Sequence, residues 1–294
     1  MSPAFLPPDL KGRVAVVAGA TRGVGRGAAL ALGEAGAIVY CTGRSTKANR
    51  LPRSPSRKTS PFDYSRRPET VQETAELVTA RGGKGFAVIL DHTDAKQVEK
   101  LVGRIRKEQG QLHIVVNDIS EIIPQDLGKT FWQLNLENGF ANLRNALHTH
   151  IITNHYAAPL LIETGNKSGH TGLIVGIGDG NFYTYRGHLF YDLVKTSVIR
   201  MAFGMARELA AEKCRCRSAD ARIPAIRSDA RAFRSHGGKL AGGHQKRPAL
   251  CQLRDAALCG ARDRRVGRGP RPDEEIRTSL QLLGPVRRVR ILRR

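Results

Sequence analysis

The chain has 294 residues and a formal net charge of +22 at pH 7, and this length is enough for one large α/β domain with residues to spare. No stretch approaches the roughly 20 apolar residues of a membrane span, and residues 1–9 lack the apolar run of a signal peptide. Five cysteines without paired spacing favour a reducing cytoplasm over a disulfide framework. No cysteine and histidine spacing fits a zinc site. We therefore expect a cytoplasmic protein with no metal and no membrane contact.

The excess positive charge is concentrated in the last quarter of the chain. Residues 212–294 carry 22 Lys and Arg against 8 Asp and Glu, a net charge of +14. Such an excess is typical of nucleic-acid-binding proteins, but the first 211 residues carry a net charge of only +8. The two parts need separate interpretations, and the charge of the first part does not indicate a nucleic-acid partner.

A glycine-rich turn joins the first predicted strand to the first predicted helix. Residues 14–18 form an apolar run typical of a strand buried on both faces, and residues 28–32 favour a helix. The glycines between them let a pyrophosphate approach the backbone, and the helix N-terminus offers N–H groups to the anion. A turn in this context predicts a dinucleotide site. The candidate cofactor-binding residues in the turn are Gly19, Thr21, Arg22, Gly23, Val24 and Gly25.

Short apolar strands alternate with helices along the chain. Further strands are predicted at residues 37–41, 86–90, 112–116 and 173–177, and helices at 68–80, 95–109, 148–163 and 191–211. This alternation predicts an α/β fold, namely a Rossmann-like, doubly wound parallel sheet with helices on both faces. His92, in the loop after the third strand, is a candidate cofactor contact to which we give little functional weight.

The end of the second strand indicates which cofactor is preferred. It carries Arg44 and lacks the Asp or Glu that would hydrogen-bond the ribose 2′-hydroxyl of NAD. Arg44, with Arg22 in the glycine-rich turn, suits the 2′-phosphate of NADP; the alternative is two surface arginines on a basic chain. NADP(H) is therefore the preferred cofactor, with NAD(H) as the second choice. Residues 45–67 are rich in Pro, Ser, Arg and Lys, which predicts a mobile surface loop.

Tyr191 and Lys195 are four residues apart on a predicted helix and therefore share one face. A nearby ammonium stabilises a phenolate, which makes tyrosine a usable general acid/base near neutral pH. Tyr-x-x-x-Lys is a common helical pair, but its position after the fifth strand of a dinucleotide fold favours a catalytic role.

Residues 10–213 resemble the short-chain dehydrogenase/reductase family. The resemblance rests on Gly19-x-x-x-Gly23-x-Gly25, Asp91, Asn117 and Tyr191-x-x-x-Lys195. It implies hydride transfer between NADP(H) and a small-molecule carbonyl or alcohol, with Tyr191 passing the proton and Lys195 holding the nicotinamide ribose. It also implies that Asp91 lies near the adenine, that Asn117 shapes the cofactor trough, and that the two long helices form the pairing surface of a homo-oligomer.

Two positions depart from the family pattern. The serine that normally precedes the tyrosine and orients the substrate oxygen is Gly178 here. The neighbouring Asp179 is the candidate catalytic replacement, although a carboxylate beside a developing alkoxide is a poor substitute. The family's helix asparagine has no clean match, since Asn145 and His148 are only nearby. We expect cofactor binding to be better preserved than turnover.

After residue 213 the family pattern stops. The family would supply a sixth strand, a Pro-Gly loop and a substrate lid, whereas residues 214–294 are mostly Arg, Gly and Ala without apolar alternation. We predict a domain that ends at residue 213, a sheet incomplete at its C-terminal end, and a basic, disordered, low-complexity tail.

A sharper hypothesis is a one-base frameshift. With one choice of codons for residues 214–228, dropping the first base encodes Val-Ala-Val-Ala-Val-Leu-Thr-Pro-Gly, and sequencing the gene tests this.

Two functions follow from these patterns. The first is an NADP(H)-preferring oxidoreductase with Tyr191 as general acid/base. The second is a cofactor-binding but catalytically impaired protein whose basic tail binds nucleic acid or another polyanion. Turnover that is abolished by Tyr191→Phe favours the first, and salt-dependent DNA binding that is lost with residues 214–294 favours the second.

Overall fold

The described strands of the protein form one parallel sheet. A computed structural model describes residues 8–49, 68–120, 129–179 and 185–220. The strands are β1 (Val14–Ala18), β2 (Ile38–Gly43), β3 (Lys84–Ile89), β4 (Ile114–Asn117), β5 (Gly172–Gly178) and β6 (Cys214–Asp220). Their order in the sheet is β3-β2-β1-β4-β5-β6, with every pairing parallel. This order confirms the predicted Rossmann-like, doubly wound fold.

Helices cover both faces of this sheet. They are α1 (Gly23–Glu34), α2 (Val71–Ala80), α3 (Ala95–Gln109), α4 (Leu136–Leu143), α5 (Thr149–Ser168) and α6 (Leu189–Glu208). Alternate residues of β1 enter two separate cores: Val14 and Val16 pack on one face, and Ala15 and Val17 on the other. Because both faces are buried, the strand is apolar throughout, as the sequence pattern indicated.

The structure corrects the expectation that no strand follows residue 213. Residues Cys214–Asp220 pair in parallel with β5 along its whole length. Cys214 and Cys216 are buried, whereas Arg215 and Arg217 are exposed. The alternation was missed because cysteine, which is among the most buried residue types, supplies the apolar half of the pattern in place of valine or isoleucine. The sheet therefore has its sixth strand.

Element boundaries shift by a few residues from those predicted, and capping explains one shift. The helix expected from residue 68 begins at Val71, because Thr70 caps it: the Thr70 side chain accepts from the Glu73 N–H, and the Glu73 side chain accepts from the Thr70 N–H. Glu73 is also the acidic residue of the first turn of this helix.

Three predictions fall largely on residues that are not described. Residues 50–67 of the expected mobile loop, and residues 221–294 of the basic tail, lie outside the described residues, as does the frameshift hypothesis beyond residue 220. The division into a domain and a tail stays a prediction. Among the residues that are described, no helix is both long and apolar enough to cross a membrane.

Candidate active site

A cavity of about 520 Å³ opens at the carboxyl ends of the parallel strands. This volume lies within the range of small-molecule and cofactor sites. The segments that follow β1 to β5, together with α6, contribute to its wall. Of the predicted site residues, those that line it are Gly19, Thr21, Arg22, Gly23, Val24, Arg44, Asp91, His92, Asp179, Tyr191 and Lys195. Gly25 and Asn117 do not line it.

The glycine-rich turn forms one end of the cavity. Gly19 has a φ of +84°, and a Cβ there would lie 2.7 Å from the main-chain oxygen of Asp118. A Cβ on Gly25 would overlap the main-chain oxygen of Gly19. Glycine is therefore required for the turn to pack against the end of β4. The N-cap residue Arg22 makes no side-chain cap hydrogen bond, and the Gly25 N–H in the first turn of α1 donates to Asp118 Oδ2. The positive end of this helix favours negative charge at this end of the cavity.

Two arginines, Arg22 from the glycine-rich turn and Arg44 after β2, lie in the wall of the cavity. Arg22 donates from Nη2 to Ser45 Oγ at 2.6 Å, and Arg44 Nη1 lies 3.5 Å from Asp91 Oδ2. Burial raises the pKa of Asp91, but hydrogen bonds from Thr93 and the charge of Arg44 outweigh it and hold that pKa below its ordinary value. Asp91 is therefore a carboxylate at neutral pH, and it holds Arg44 beside the cavity.

His92 is a buried residue that ties elements together. It is 4% exposed, its Nε2 lies 2.7 Å from Thr42 Oγ1, and its Nδ1 lies 2.8 Å from Thr153 Oγ1. Burial, together with the nearby His150, lowers the pKa of His92 to about 3. The ring is neutral and joins β2 to α5. The sequence indicated a loop residue of little weight but not this structural role.

The predicted catalytic side chains meet at the other end of the cavity. The Tyr191 hydroxyl donates to Asp179 Oδ2 at 2.8 Å, and Lys195 Nζ lies 5.9 Å from the centre of the Tyr191 ring. Lys195 is only 6% exposed, and burial lowers its pKa, against the opposing carboxylates of Asp118 and Asp179. The arrangement bonds the Tyr191 hydroxyl to the Asp179 carboxyl group and places the Lys195 side chain against the ring of the same tyrosine.

Asp118 also lines the cavity, although no sequence motif predicts it. Its Oδ2 accepts a 2.5 Å hydrogen bond from the Gly25 N–H. Burial raises the pKa of Asp118 to about 7, while Lys195 and the Gly25 N–H oppose that rise. The only signal was an acid directly after Asn117. Asn117 itself is buried and donates to Asn154 Oδ1 at 3.0 Å, away from the cavity lining.

The structure shows the surroundings of the two positions that depart from the family pattern. Asn145 lies in a turn of π-helix, Arg144–His148, and lines the cavity, whereas His148 is exposed. At Gly178 an added Cβ would make ordinary contacts, 3.6 Å from Ala219 O and 3.8 Å from Ile199 Cγ1. A Cβ at position 178 would therefore fit. Within the described part of the chain, no group of His, Cys, Asp and Glu is arranged to hold a metal ion.

Comparison with known proteins identifies the class. The sequence profile of the family described as Enoyl-(Acyl carrier protein) reductase matches residues 62–224, more than half of the chain. The match passes the expected domain end at residue 213. Dehydrogenase/reductase SDR family member 1 of mouse is 29% identical over 206 residues, which are 68% of this chain but only 56% of that protein. The chain therefore spans little over half the length of this relative.

Two solved structures show a similar fold. A protein from Burkholderia xenovorans, described as a short-chain dehydrogenase/reductase, matches 72% of this chain and 71% of its own with 27% identity and a TM-score of 0.56. A short-chain dehydrogenase from Burkholderia cenocepacia, crystallised in complex with NADP, has 23% identity and a TM-score of 0.56 over 72% of this chain and 74% of its own. With the matching profile, these findings establish that the chain belongs to the short-chain dehydrogenase/reductase family of nucleotide-binding oxidoreductases.

Proposed function

We propose that the protein is an NADP(H)-dependent oxidoreductase that interconverts a small-molecule carbonyl and its alcohol, with Tyr191 as the general acid/base. The observation that carries this proposal is the Tyr191 hydroxyl, bonded to Asp179 and beside Lys195 in the cavity that also contains the glycine-rich turn. A dinucleotide cradle and a tunable proton donor in one cavity are what hydride transfer requires.

The described residues fit such a cofactor. The first turn of α1 would hold the pyrophosphate, Arg22 and Arg44 the 2′-phosphate, and Lys195 the nicotinamide ribose. When bound, the nicotinamide supplies or accepts the hydride. NAD(H) is the second choice, because β2 ends without a carboxylate for the ribose 2′-hydroxyl.

Asp179 serves Tyr191 and not the substrate oxygen. Its Oδ2 accepts from the Tyr191 hydroxyl, so it is placed to receive that proton. In alcohol oxidation the substrate proton moves to Tyr191 Oη as the Tyr191 proton moves to Asp179. In carbonyl reduction both protons move in the opposite direction. Asn145, in the wall of the same cavity, is the candidate for the relay position that had no clean match.

Tyr191→Phe tests this chemistry. Removing the hydroxyl should lower turnover by about 10²–10⁴-fold, because general acid/base catalysis contributes that much. Steady-state rates of NADPH oxidation with a panel of aldehydes and ketones measure this, and NADPH binding should change less than about twofold. Tyr156→Phe, in α5 and outside the cavity lining, is the matched control. Equal rates in the two variants would contradict the assignment of Tyr191.

The cofactor preference has its own test. Fluorescence titration of the purified chain should give tighter binding of NADPH than of NADH. Arg44→Gln should weaken NADPH binding by about tenfold and leave NADH binding within twofold, because only NADPH carries the phosphate. Arg81→Gln, after α2 and outside the cavity lining, is the control. NADPH and NADH binding that weaken equally would contradict a phosphate contact by Arg44.

The two long helices support self-association. Ile151 in α5 and both Leu193 and Phe203 in α6 are exposed apolar residues. We propose that these exposed residues belong to the pairing surface of a homo-oligomer. Light scattering of the purified chain tests this, and a monomer mass is the contrary result.

A further inference from the structure

Arg186 is a largely buried cation between the end of β5 and the start of α6. Its side chain is only 11% exposed. It donates to the main-chain oxygen of Asp179 from Nη2 at 3.0 Å and from Nε at 3.3 Å. Its Nη1 pairs with Asp192 Oδ1 at 2.8 Å and donates to Thr196 Oγ1 at 3.3 Å. One guanidinium thus connects the residue after β5 to the first and second turns of α6.

We propose that Arg186 is the positioning residue that keeps the Asp179 carboxylate within hydrogen-bonding distance of the Tyr191 hydroxyl. The proposal rests on the function proposed above, in which Tyr191 is the acid/base. Its first support is connectivity. Asp179 follows the last residue of β5, whereas Tyr191 belongs to α6, and Arg186 bonds to main-chain or side-chain atoms on both sides of that gap.

The second support is that Arg186 leaves one carboxyl oxygen of Asp179 available to Tyr191. Its Nε lies 3.9 Å from Asp179 Oδ2, too far for a hydrogen bond, while both of its bonds to Asp179 go to the main-chain oxygen. Oδ2 is the atom that accepts from Tyr191. The guanidinium therefore fixes the backbone of Asp179 and attracts its carboxylate without occupying the oxygen that Tyr191 uses.

The third support is the planar shape of the guanidinium. Two nitrogens bond to one carbonyl, while the third pairs with Asp192, a geometry that the single ammonium of lysine does not reproduce. Arg186→Lys therefore keeps the charge and removes the planar arrangement of donors. The substitution separates positioning from a general electrostatic effect on Asp179 and Lys195.

A double-mutant cycle tests the proposal. We expect Arg186→Lys to lower kcat by about 10–100-fold, with NADPH binding within twofold of the parent. In an Asp179→Asn background the same substitution should lower kcat less than about threefold, since the carboxylate to be positioned is gone. Arg200→Lys, at an exposed position of α6, is the control, and melting temperatures of all variants report folding. An equal loss from Arg186→Lys in both backgrounds would overturn the proposal.

A spectroscopic readout makes the result independent of turnover. Tyrosinate absorbance is titrated with pH, and subtraction of the Tyr191→Phe curve isolates Tyr191. A carboxylate that accepts from the neutral hydroxyl delays ionisation, so Arg186→Lys and Asp179→Asn should both move the Tyr191 midpoint downward. An unchanged midpoint in Arg186→Lys beside a lowered one in Asp179→Asn would overturn the proposal. If the Tyr191 midpoints shift as expected but the parent protein shows no turnover, the result would contradict only the proposed function.

Discussion

The two ends of the cavity are built from different parts of the chain. At the turn after β1, Gly19 lines the cavity, and Gly25, which lies behind the lining, packs against the main-chain oxygen of Gly19. After β5, charged and hydroxyl side chains form the wall, with Tyr191, Asp179 and Arg186 in one network. The first construction depends on the spacing of glycines, and the second depends on tertiary geometry. A substitution at the first end should therefore act through packing, and one at the second through chemistry.

The largest effect on stability is expected from adding a Cβ in the glycine-rich turn, at the first end of the cavity. Gly25→Ala would put its methyl group into the main-chain oxygen of Gly19 and 3.0 Å from Asp118 Oδ2. We expect a loss of about 4 kcal/mol or more in unfolding free energy, measured by urea denaturation, together with loss of NADPH binding.

Gly27→Ala is the matched control for that substitution. It lies two residues further along α1, and a methyl group added there would have no atom from outside its own stretch of helix within 4 Å. Because alanine favours a helix over glycine, it should raise stability by about 0.5–1 kcal/mol. If Gly25→Ala and Gly27→Ala behaved alike, close packing of the turn would not be what requires glycine.

A smaller effect is expected at Asp118, whose carboxyl group accepts a hydrogen bond from the Gly25 N–H at the first end. Its pKa is raised to about 7 from 3.8, so the native state keeps a proton that the unfolded chain releases. This contribution to stability is complete below about pH 4 and is lost as pH rises through about 7. Asp118→Asn removes that dependence and keeps an oxygen that can accept from the Gly25 N–H.

Melting curves between pH 4 and pH 8 measure this effect. Asp118→Asn should gain stability relative to the parent by on the order of 3–4 kcal/mol from pH 4 to pH 8. Glu137→Gln, an exposed acid in α4, should show no such relative gain. A constant difference between Asp118→Asn and the parent across this range would mean that Asp118 does not titrate there.

The same contrast explains what the sequence could predict. The strand, turn and helix around Gly19 follow a local pattern, so the fold and the glycine-rich turn could be predicted from the spacing of residues. Asp118 was missed because its partner Gly25 is 93 residues away in the sequence. Strand β6 was missed because Cys214 and Cys216 take the positions where valine or isoleucine is usual. Patterns report burial by residue type, whereas these features depend on which residues become neighbours.

The smallest effect is expected at Gly178. A Cβ there would point towards Ile199, one turn after Lys195 on α6, and would make only ordinary contacts. Gly178→Ser therefore adds a hydroxyl next to Asp179 on a Cβ that makes only ordinary contacts. We expect kcat/KM of the proposed reaction to rise by about tenfold if the site lacks a group to orient the substrate oxygen. Gly178→Ala adds the same Cβ without the hydroxyl and should leave kcat/KM within twofold. A gain confined to serine would mean that Asp179 serves only Tyr191. Equal kcat/KM in the serine and alanine variants would mean that the network around Asp179 already supplies what the family's serine does.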